Sequence, residues 1–396
     1  MVWFTFNEIF PRLFPRGSTM IRPAHEFDVV VIGAGPAGIG VACVLKALGL
    51  ENFVVFDRYE VGASFQRWPR EMRLITPSFP SNAYGFPDLN AITVDTSPGY
   101  TLETEHPTGR QYACYLRRVV KEFNVPVQTG VNVTEVRSTT DGFEIMTHAG
   151  TRTAKYVIWA AGEFQYPKID PFPGAEYCPH TATVSSWRDV AGDEFLIIGG
   201  YESGIDAATA LCRLGKTVTV LDRRSISSSV TSDPSVVLSP FTQARLRQAD
   251  RTGRLSVLEN FKVMQVQREG EEFLVIGRQR QKKQTVLRTK TPPLLATGFD
   301  GSLSLVKSHF ARDEAGVLQL SPDDESTITP GLFLCGPMVR HGAIIMCFIY
   351  KYRQRFAVVA NAIGQRMGLD LSPLEVYRKK QMFLDDLSCC LDECAC

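Results

Sequence analysis

The chain has 396 residues, of which 44% are hydrophobic and 21% charged, so it is long enough for two or three domains with buried cores. Its formal net charge of +1 favours neither nucleic acid nor an anionic membrane, and no stretch approaches the roughly 20 apolar residues of a membrane span. Ten cysteines are too few for a disulfide-stapled scaffold. Residues 1–20 lack the marks of a secretory signal, so we interpret them as an N-terminal extension and expect a cytoplasmic protein with reduced thiols.

The first strong motif is a strand, a glycine turn and a helix. Residues 29–32 form a β-branched run that predicts a buried parallel strand, and a G-x-G-x-x-G turn follows. In such a turn Gly33 allows the bend, Gly35 lets a pyrophosphate approach the backbone, and Gly38 lets helix and strand pack closely. Asp57 ends the next strand 19 residues after Gly38, near the spacing of an acid that binds a ribose hydroxyl. The unit predicts a dinucleotide site with its phosphates at the helix N-terminus.

The same pattern recurs in the middle of the chain. Residues 195–198 predict a strand, a glycine-containing turn and a helix follow, and Asp222 lies 18 residues after Gly204. Aligning the two strands puts Tyr201 where the second glycine belongs. Sliding the register by one restores Gly200 as that glycine but loses the first and third. We favour the strand alignment, and we interpret the unit as a nicotinamide site, with a repeat kept only for packing as the alternative.

The residues that end the second unit bear on the choice of coenzyme. Asp222 could accept a hydrogen bond from the ribose 2′-hydroxyl of NADH. Arg223 and Arg224 follow it directly and could pair with the 2′-phosphate of NADPH. Two adjacent guanidinium groups favour NADPH, and NADH stays open.

These motifs together resemble the two-dinucleotide-binding-domain flavoproteins, and within them the flavin-containing monooxygenase-like branch. The resemblance covers residues 27–365 and is carried by "VIGAGPAG" with Asp57, the crossing strands "WAAGE" and "LLATGFD", "IGGYESG", and the late strand "GLFLCGP". The branch assignment depends on "VGASFQRWP" and on "PKIDPFPG" with the histidine that follows it.

The resemblance implies an α/β protein with two Rossmann-like, doubly wound domains, the second inserted in the first, and small antiparallel β elements. It places FAD in residues 21–165 and 291–365 and a nicotinamide coenzyme in residues 166–290. A C-terminal helix and a cysteine-rich tail would then occupy residues 366–396. A long helix predicted over residues 343–363 would point its N-terminus at the flavin and stabilise negative charge on the reduced ring.

The resemblance also implies which residues hold the cofactors. For FAD and the two crossing strands they are Gly33, Gly35, Pro36, Ala37, Gly38, Asp57, Arg58, Trp68, Val133, Ala161, Gly162, Thr297, Gly298 and Gly336. For the nicotinamide coenzyme they are Gly199, Gly200, Glu202, Ser203, Gly204, Asp222, Arg223 and Arg224. We further expect Arg340 or His341, just before the predicted helix, to face the flavin or its phosphate.

Two departures from the family pattern leave the reaction open. Monooxygenases of this branch carry an asparagine near the flavin, and the nearest match here is Thr76. Disulfide reductases place a cysteine pair beside the flavin, whereas this chain has Ala37 next to the third glycine and a single Cys212 in the second unit. We therefore weigh a monooxygenase-like enzyme first, a thiol or metal-thiolate reductase second, and a non-enzymatic redox sensor or metal-binding flavoprotein third. The expected partner is a small molecule or a thiol/disulfide, and a homodimer stays open.

The chain ends in "LSCCLDECAC", with thiols at Cys389, Cys390, Cys394 and Cys396. Adjacent Cys389 and Cys390 would form a strained disulfide, whereas Cys390 and Cys394 would meet on one helical face. A redox relay to the flavin is our preferred interpretation, with a soft-metal site or an ordinary tail as alternatives. Before these thiols, residues 372–387 predict a helix whose apolar side chains dock on the body: Leu374, Tyr377, Phe383, Leu384 and Leu387.

Overall fold

The structure is a computed structural model that describes residues 25–80, 85–225, 233, 235–280 and 283–388. The N-terminal extension and the four tail cysteines lie outside the described residues. The strands, in chain order, are β1 Phe27–Ile32, β2 Phe53–Phe56, β3 Val127–Gln128, β4 Val133–Ser138, β5 Phe143–Thr147, β6 Gly150–Trp159, β7 Glu194–Ile198, β8 Thr217–Leu221, β9 Leu255–Leu258, β10 Phe261–Glu269, β11 Glu272–Gln279, β12 Thr285–Thr289, β13 Leu294–Leu295, β14 Leu332–Leu334, β15 Arg340–His341 and β16 Ile344–Ile345. The α-helices are α1 Pro36–Ala47, α2 Ala63–Gln66, α3 Pro98–Leu102, α4 Gly109–Glu122, α5 Glu202–Arg213, α6 Pro240–Asp250, α7 Ile349–Tyr352, α8 Phe356–Met367 and α9 Glu375–Lys379.

The first sheet has seven strands in the order β3-β2-β1-β6-β5-β4, and β14 also pairs with β6. Strands β1, β2, β3, β6 and β14 run parallel, and helices connect β1 to β2 and β2 to β3, as parallel neighbours require. Strands β4, β5 and β6 form one of the small antiparallel β elements that the resemblance implies. Strand β1 is buried along its second half, as expected for a central strand covered on both faces.

The second sheet, β13-β7-β8-β9, is parallel throughout, and an antiparallel sheet β10-β11-β12 follows it in the chain. Because β14 returns to the first sheet after these strands, the second unit is inserted in the first. The predicted α/β class with two doubly wound units is confirmed. The domain boundaries proposed at residues 165, 290 and 365 stay predictions.

Each unit has its own apolar core. The larger core packs α1, α4 and α8 on the first sheet, with Trp159, Phe333 and Phe356 almost fully buried. The second core packs α5 and α6 on the parallel strands of the second sheet around Trp187. No helix in the described ranges combines the length and the hydropathy needed to cross a bilayer.

The helix predicted over residues 343–363 is wrong at its start. Arg340–His341 and Ile344–Ile345 instead pair as a short hairpin, with Gly342 at a left-handed φ of 58° between them. The helical run begins only at Ile349 and continues through a 3₁₀ turn into α8. The apolar run 344–349 resembles a helical face, but the glycine turn lets its first residues pair as a strand.

The helix predicted over residues 372–387 is also shorter than expected. A 3₁₀ turn at Ser372–Leu374 leads into α9, and Gln381 adopts a left-handed φ of 54° that ends the helix. The predicted docking is nevertheless confirmed. Leu374, Tyr377 and Phe383 are buried in the larger core, and Leu384 and Leu387 pack against it.

The end of the described chain is fixed by one buried arginine. Arg355 is fully buried, and its guanidinium donates two hydrogen bonds to the carboxylate of Asp324, at 2.9 and 2.8 Å. It also donates to the carbonyls of Pro322 and Leu384. Because His341 Nε2 lies 2.6 Å from the same Asp324 carboxylate, the C-terminal segment and the hairpin share one polar network.

Candidate functional site

The first glycine turn has the geometry that the sequence predicts. Gly33 adopts φ 113°, and a Cβ placed on it would lie 2.4 Å from the carbonyl oxygen of Ala160. A Cβ on Gly38 would lie 1.8 Å from the carbonyl oxygen of Gly33. Beside Gly35, in contrast, no heavy atom lies within 4 Å of the Cβ position. The first and third glycines are therefore required by the fold, whereas the second leaves open space at the helix N-terminus.

Asp57 closes this turn from the end of β2. Its Oδ2 accepts from the Ala34 N–H at 2.8 Å, and its Oδ1 accepts from the Tyr59 N–H at 2.8 Å. Burial raises the pKa of Asp57, and the two backbone donors oppose that rise. Each oxygen accepts one hydrogen bond and keeps a further lone pair. Because the residue is only half-buried, a ribose hydroxyl could reach these lone pairs.

Residues predicted to hold FAD meet in one cleft. Its lining includes Gly33, Asp57, Arg58, Val133 and Ala161, together with Gln165 and Tyr166. Arg58 and the exposed Arg67 both donate to Gln165 Oε1 at 3.0 Å. The open backbone at Gly35, the half-exposed carboxylate and the guanidinium groups are the partners that a pyrophosphate and a ribose require, so the residues present fit an adenine dinucleotide.

The other residues predicted for FAD lie around this cleft. Pro36 and Ala37 open α1 and are buried, and Gly336 follows β14 with a Cβ position 3.0 Å from the Cβ of Ala37. Gly162 follows β6 with φ 66°. Trp68 is half-buried against Phe65 and does not line the cleft.

The second turn has the same backbone geometry as the first at its first and third glycines. Gly199 adopts φ 114°, and a Cβ on it would lie 2.2 Å from the carbonyl oxygen of Ala296. A Cβ on Gly204 would lie 1.8 Å from the carbonyl oxygen of Gly199. Gly199 therefore corresponds to Gly33 and Gly204 to Gly38. This correspondence supports the strand alignment, in which Tyr201 stands at the position of Gly35.

Asp222 differs from Asp57 in exposure. Its Oδ2 accepts from the Gly200 N–H at 3.0 Å and its Oδ1 from the Arg224 N–H at 2.8 Å, so the turn is closed in the same way. The side chain is only 5% exposed, whereas that of Arg224 is 54% exposed. A Cβ on Gly200 would lie 2.6 Å from Asp222 Oδ2, so this glycine makes room for the carboxylate. Arg223 is exposed beside it.

Several residues predicted to contact the coenzyme form hydrogen bonds within the protein instead. Glu202 accepts from Ser239 N–H at 2.5 Å and from Thr242 Oγ1 at 2.6 Å, so its carboxylate faces α6. Burial raises the pKa of Glu202, and these hydrogen bonds oppose the rise. Ser203 lies half-buried in the first turn of α5. On the second crossing strand, Thr297 Oγ1 donates to Lys168 O at 2.8 Å, and the Gly298 carbonyl accepts from Lys168 N–H at 3.0 Å.

A family model of pyridine nucleotide-disulphide oxidoreductases matches residues 30–336. The chain belongs to this family. An uncharacterized oxidoreductase CzcO of Bacillus velezensis is 29% identical over 196 residues, which are 47% of this chain and 52% of that protein. The chain thus spans about half the length of the curated relatives that it matches first.

Two solved structures share the fold. Bacillithiol disulfide reductase Bdr (YpdA) from Staphylococcus aureus superposes with a TM-score of 0.71 at 19% identity, covering 86% of this chain and 99% of that one. Ornithine N-hydroxylase from Kutzneria sp. 744 superposes with a TM-score of 0.67 at 16% identity, covering 87% and 100%. These matches confirm the predicted resemblance to two-dinucleotide-binding-domain flavoproteins and the predicted cofactors, FAD and a nicotinamide dinucleotide. The reaction of this chain and its branch within the flavoproteins stay proposals.

Within this family fold, the hairpin residues have distinct surroundings. His341 is bound to Asp324, as described above. Arg340 Nη1 is buried and has no hydrogen-bond partner among the described residues. Burial raises the pKa of Glu163, which follows the first crossing strand, and the guanidinium of Arg340 opposes the rise. An unpartnered donor at this position is consistent with a ligand that the hairpin contacts. Which of Arg340 and His341 faces the flavin stays a prediction.

Thr76 has an asparagine neighbour that sequence reasoning missed. Asn90 is fully buried, and its Nδ2 donates to the Thr76 carbonyl at 2.9 Å and to Ser78 Oγ at 2.8 Å. Its Oδ1 is buried without a hydrogen-bond partner among the described residues. The two positions are 14 residues apart, so spacing alone carried no signal of this contact.

The described cysteines are all free thiols, at Cys43, Cys114, Cys178, Cys212, Cys335 and Cys347. Cys335 is buried behind the first turn, with Sγ 3.9 Å from the Ala37 carbonyl, and burial raises its pKa. Cys347 Sγ lies 3.2 Å from Ser235 Oγ, so it faces the second unit. No group of three or more histidine, cysteine or acidic residues in the described ranges is placed to hold a metal. Cys390 and Cys394, and the metal candidates Cys389 and Cys396, lie outside those ranges.

Polar contacts cross from the first unit to the second. Glu71 accepts from Ser186 Oγ at 2.7 Å and from the Trp187 N–H at 3.0 Å. The buried Lys351 donates to Asp233 Oδ1 at 2.7 Å and to Ser235 Oγ at 2.9 Å. These contacts hold the two turn-bearing units against each other.

Proposed function

We propose that this protein is an NADPH-dependent flavoprotein oxidoreductase that passes electrons to O₂ and a small-molecule substrate, as the monooxygenase-like members of its fold class do. The observation that carries the proposal is the paired glycine turns, one open at Gly35 and one flanked by exposed Arg223 and Arg224. Paired turns of this kind suit one resident dinucleotide and one exchanging dinucleotide. FAD, when bound, supplies the two-electron chemistry that hydride transfer from a nicotinamide requires.

The residues of the first unit would bind and orient FAD. The N–H groups at the start of α1 and the space beside Gly35 would receive the pyrophosphate, and the half-exposed Asp57 would accept from the ribose. Arg340 Nη1, which is buried and without a partner in the described residues, would donate to an acceptor on the cofactor. The apolar core behind β1 and α1 excludes water from that side of the site.

The second unit favours NADPH over NADH. Asp222 is 5% exposed and already accepts two backbone hydrogen bonds, so it is poorly placed to select a ribose 2′-hydroxyl. Arg224 is 54% exposed, so its guanidinium is accessible to a 2′-phosphate, with which it would form charge-assisted hydrogen bonds. The contrast between these neighbouring side chains supports NADPH.

The electron acceptor is the open part of the proposal. Asn90 restores an amide beside Thr76, the position where the sequence lacks one, and this favours an oxygenase. Among the described residues, Cys335 and Cys347 bond to separate groups and do not form a pair, which disfavours a dithiol built into the core.

The test is anaerobic reduction followed by rapid mixing with O₂. NADPH should bleach the flavin absorbance faster than NADH at equal concentration. A long-lived absorbance distinct from both the oxidised and the reduced protein should then form on mixing with O₂. Immediate return of the oxidised spectrum would contradict an oxygenase. A protein that neither NADPH nor NADH reduces would contradict the whole proposal.

A second candidate function is a thiol or disulfide reductase that uses the C-terminal cysteines as a relay. It is favoured by the superposition on bacillithiol disulfide reductase Bdr and by four thiols within the last eight residues. Ending the chain after Ser388 removes these thiols and leaves the docked residues Phe383 and Leu387 in place. The relay predicts that this shortened protein keeps its flavin but loses NADPH-driven reduction of a disulfide reagent. Unchanged turnover would exclude the relay.

A further inference from the structure

Tyr201 stands in the second turn where the glycine pattern has its second glycine, and the backbone there does not require a glycine. Gly35 caps α1 with φ −86° and ψ −172°, and Tyr201 caps α5 with φ −96° and ψ −165°. Both conformations are extended and open to any residue, so the tyrosine is accommodated without backbone strain. Its Cβ stands at the turn position where, in the first unit, no heavy atom lies within 4 Å of the Cβ position.

The ring of Tyr201 is held on two sides. Its Oη donates to the Val237 carbonyl at 3.2 Å, and the ring packs against the core of the second unit. Burial raises the pKa of the Tyr201 phenol, so the group stays a neutral donor at physiological pH. The side chain is therefore positioned before any coenzyme arrives.

The face of this ring supports Arg224. The guanidinium carbon lies 5.4 Å from the ring centroid, within the range of a cation–π contact. The Arg224 N–H donates to Asp222 Oδ1, and its Nε lies 4.0 Å from the same oxygen. The ring and the carboxylate thus restrict an arginine that is otherwise half exposed, which lowers the conformational entropy it would lose on binding a phosphate.

We infer that Tyr201 is a specificity-determining residue that positions Arg224 for the 2′-phosphate of NADPH. This inference rests on the proposed function, since it assumes that NADPH is the coenzyme. The tyrosine does not touch the reacting atoms. It acts through the arginine, and its contribution should appear only in ligands that carry the 2′-phosphate.

The test compares two nucleotide probes on the flavin-loaded protein by calorimetry. 2′,5′-ADP carries the 2′-phosphate and 5′-AMP lacks it, so the ratio of their dissociation constants isolates this group. Tyr201→Leu keeps bulk but removes the ring face, and it should lower the preference for 2′,5′-ADP about two- to fivefold. Tyr201→Phe keeps the ring and should leave the preference unchanged. If the leucine variant does not fold, Tyr201→Met serves in its place.

A double variant shows whether the ring acts through Arg224. Arg224→Ala alone should remove most of the preference, and adding Tyr201→Leu should then change nothing further. Equal preference in the leucine, phenylalanine and unaltered proteins would overturn the inference, as would a further loss in the Arg224→Ala background. If the unaltered protein binds the two probes equally, the NADPH proposal itself fails, and that outcome is distinct from the other two.

Discussion

The two glycine turns use the same backbone for different ends. In both, the first glycine has φ near 113° to 114° and the third packs against its carbonyl, while an aspartate at the end of the next strand accepts from two backbone N–H groups. Gly200 stands where the first turn has Ala34, and two further differences bear on ligand binding. The first turn has open space at Gly35 and a half-exposed Asp57, whereas the second has Tyr201 and a buried Asp222.

This difference separates what folding requires from what a ligand requires. A Cβ on the first glycine of either turn would clash with a carbonyl of a crossing strand, and a Cβ on the third would clash with the carbonyl of the first, so these glycines would be needed without any cofactor. At the second-glycine position of the first turn, no heavy atom lies within 4 Å of the Cβ position. A resident dinucleotide needs that space permanently, whereas a coenzyme that exchanges at every turnover can be held by side chains such as Arg224 instead.

The largest expected effect comes from filling the open position. Gly35→Val should fold, because φ is −86° and no heavy atom lies within 4 Å of its Cβ position, but it should be purified without flavin. The ratio of flavin to protein absorbance measures the loss, and circular dichroism checks the fold. Gly33→Ala is the matched control and should fail to fold, because its Cβ would lie 2.4 Å from a carbonyl oxygen. A Gly35→Val protein that retains its flavin would refute the hypothesis that the space beside Gly35 receives the pyrophosphate.

Removing Arg224 should have the next largest effect and should act on the second turn alone. Arg224→Ala should raise KM for NADPH about tenfold to a hundredfold, because a charge-assisted hydrogen bond to phosphate is lost, and should leave KM for NADH nearly unchanged. Steady-state rates with both coenzymes measure this. Arg213→Ala removes an exposed arginine from α5 and should change neither KM. Parallel increases for both coenzymes would mean that Arg224 does not contact the 2′-phosphate.

The two aspartates should respond differently to the same change. Asp222→Asn replaces an acceptor of two backbone N–H groups and should lower the free energy of unfolding by about 1–3 kcal/mol while leaving flavin retention unchanged. Asp57→Asn should cost similar stability and also weaken flavin retention, since this side chain is half-exposed. Denaturant unfolding of flavin-free protein and flavin release on dilution separate the two effects. Flavin retention that falls equally in both variants would remove the distinction.

The smallest effect concerns the contact between the turn-bearing units. Desolvation pulls the pKa of Glu71 upward, but the hydrogen bonds from Ser186 and Trp187 outweigh it, so the pKa lies below the ordinary value of 4.5. A carboxyl with a lowered pKa stabilises the fold above that ordinary value and loses its contribution as pH falls through the lowered pKa. Glu71→Gln should therefore cost about 1 kcal/mol at pH 7 and progressively less in acid. Urea unfolding at several pH values tests this, and a cost independent of pH would contradict it.

Much of the fold was predictable because it follows from local periodicity. The β-branched runs and glycine spacings predict both strand–turn–helix units, and the register of Tyr201 follows from aligning residues 195–198 with residues 29–32. The exposure of Asp57 and Asp222 was not predictable, because it depends on which groups pack over each strand end. The same holds for Asn90, whose hydrogen bond to the Thr76 carbonyl depends on the tertiary packing of both residues.

The hairpin before α7 shows a second limit of sequence reasoning. Residues 344–349 are apolar in a pattern that fits a helix as well as a strand, and the left-handed Gly342 decides between them. Arg340 and His341 were singled out for their chemistry, and the structure does place them together, but His341 is bound to Asp324. The side-chain types of these two residues therefore predicted which region of the chain matters, but they did not predict the role of each residue.

The buried guanidinium of Arg355 makes the effect of proteolysis depend on which side of Leu384 the chain is cleaved. A protease that cleaves after Lys380 would release Leu384 and leave this cation short of one of its acceptors in a place that water does not reach. Asp324 would then be the main acceptor left for the Arg355 guanidinium. His341 Nε2 is hydrogen-bonded to the same Asp324 carboxylate. Cleavage at this point should consequently loosen the hairpin that contains His341, whereas cleavage after Ser388 should leave it undisturbed.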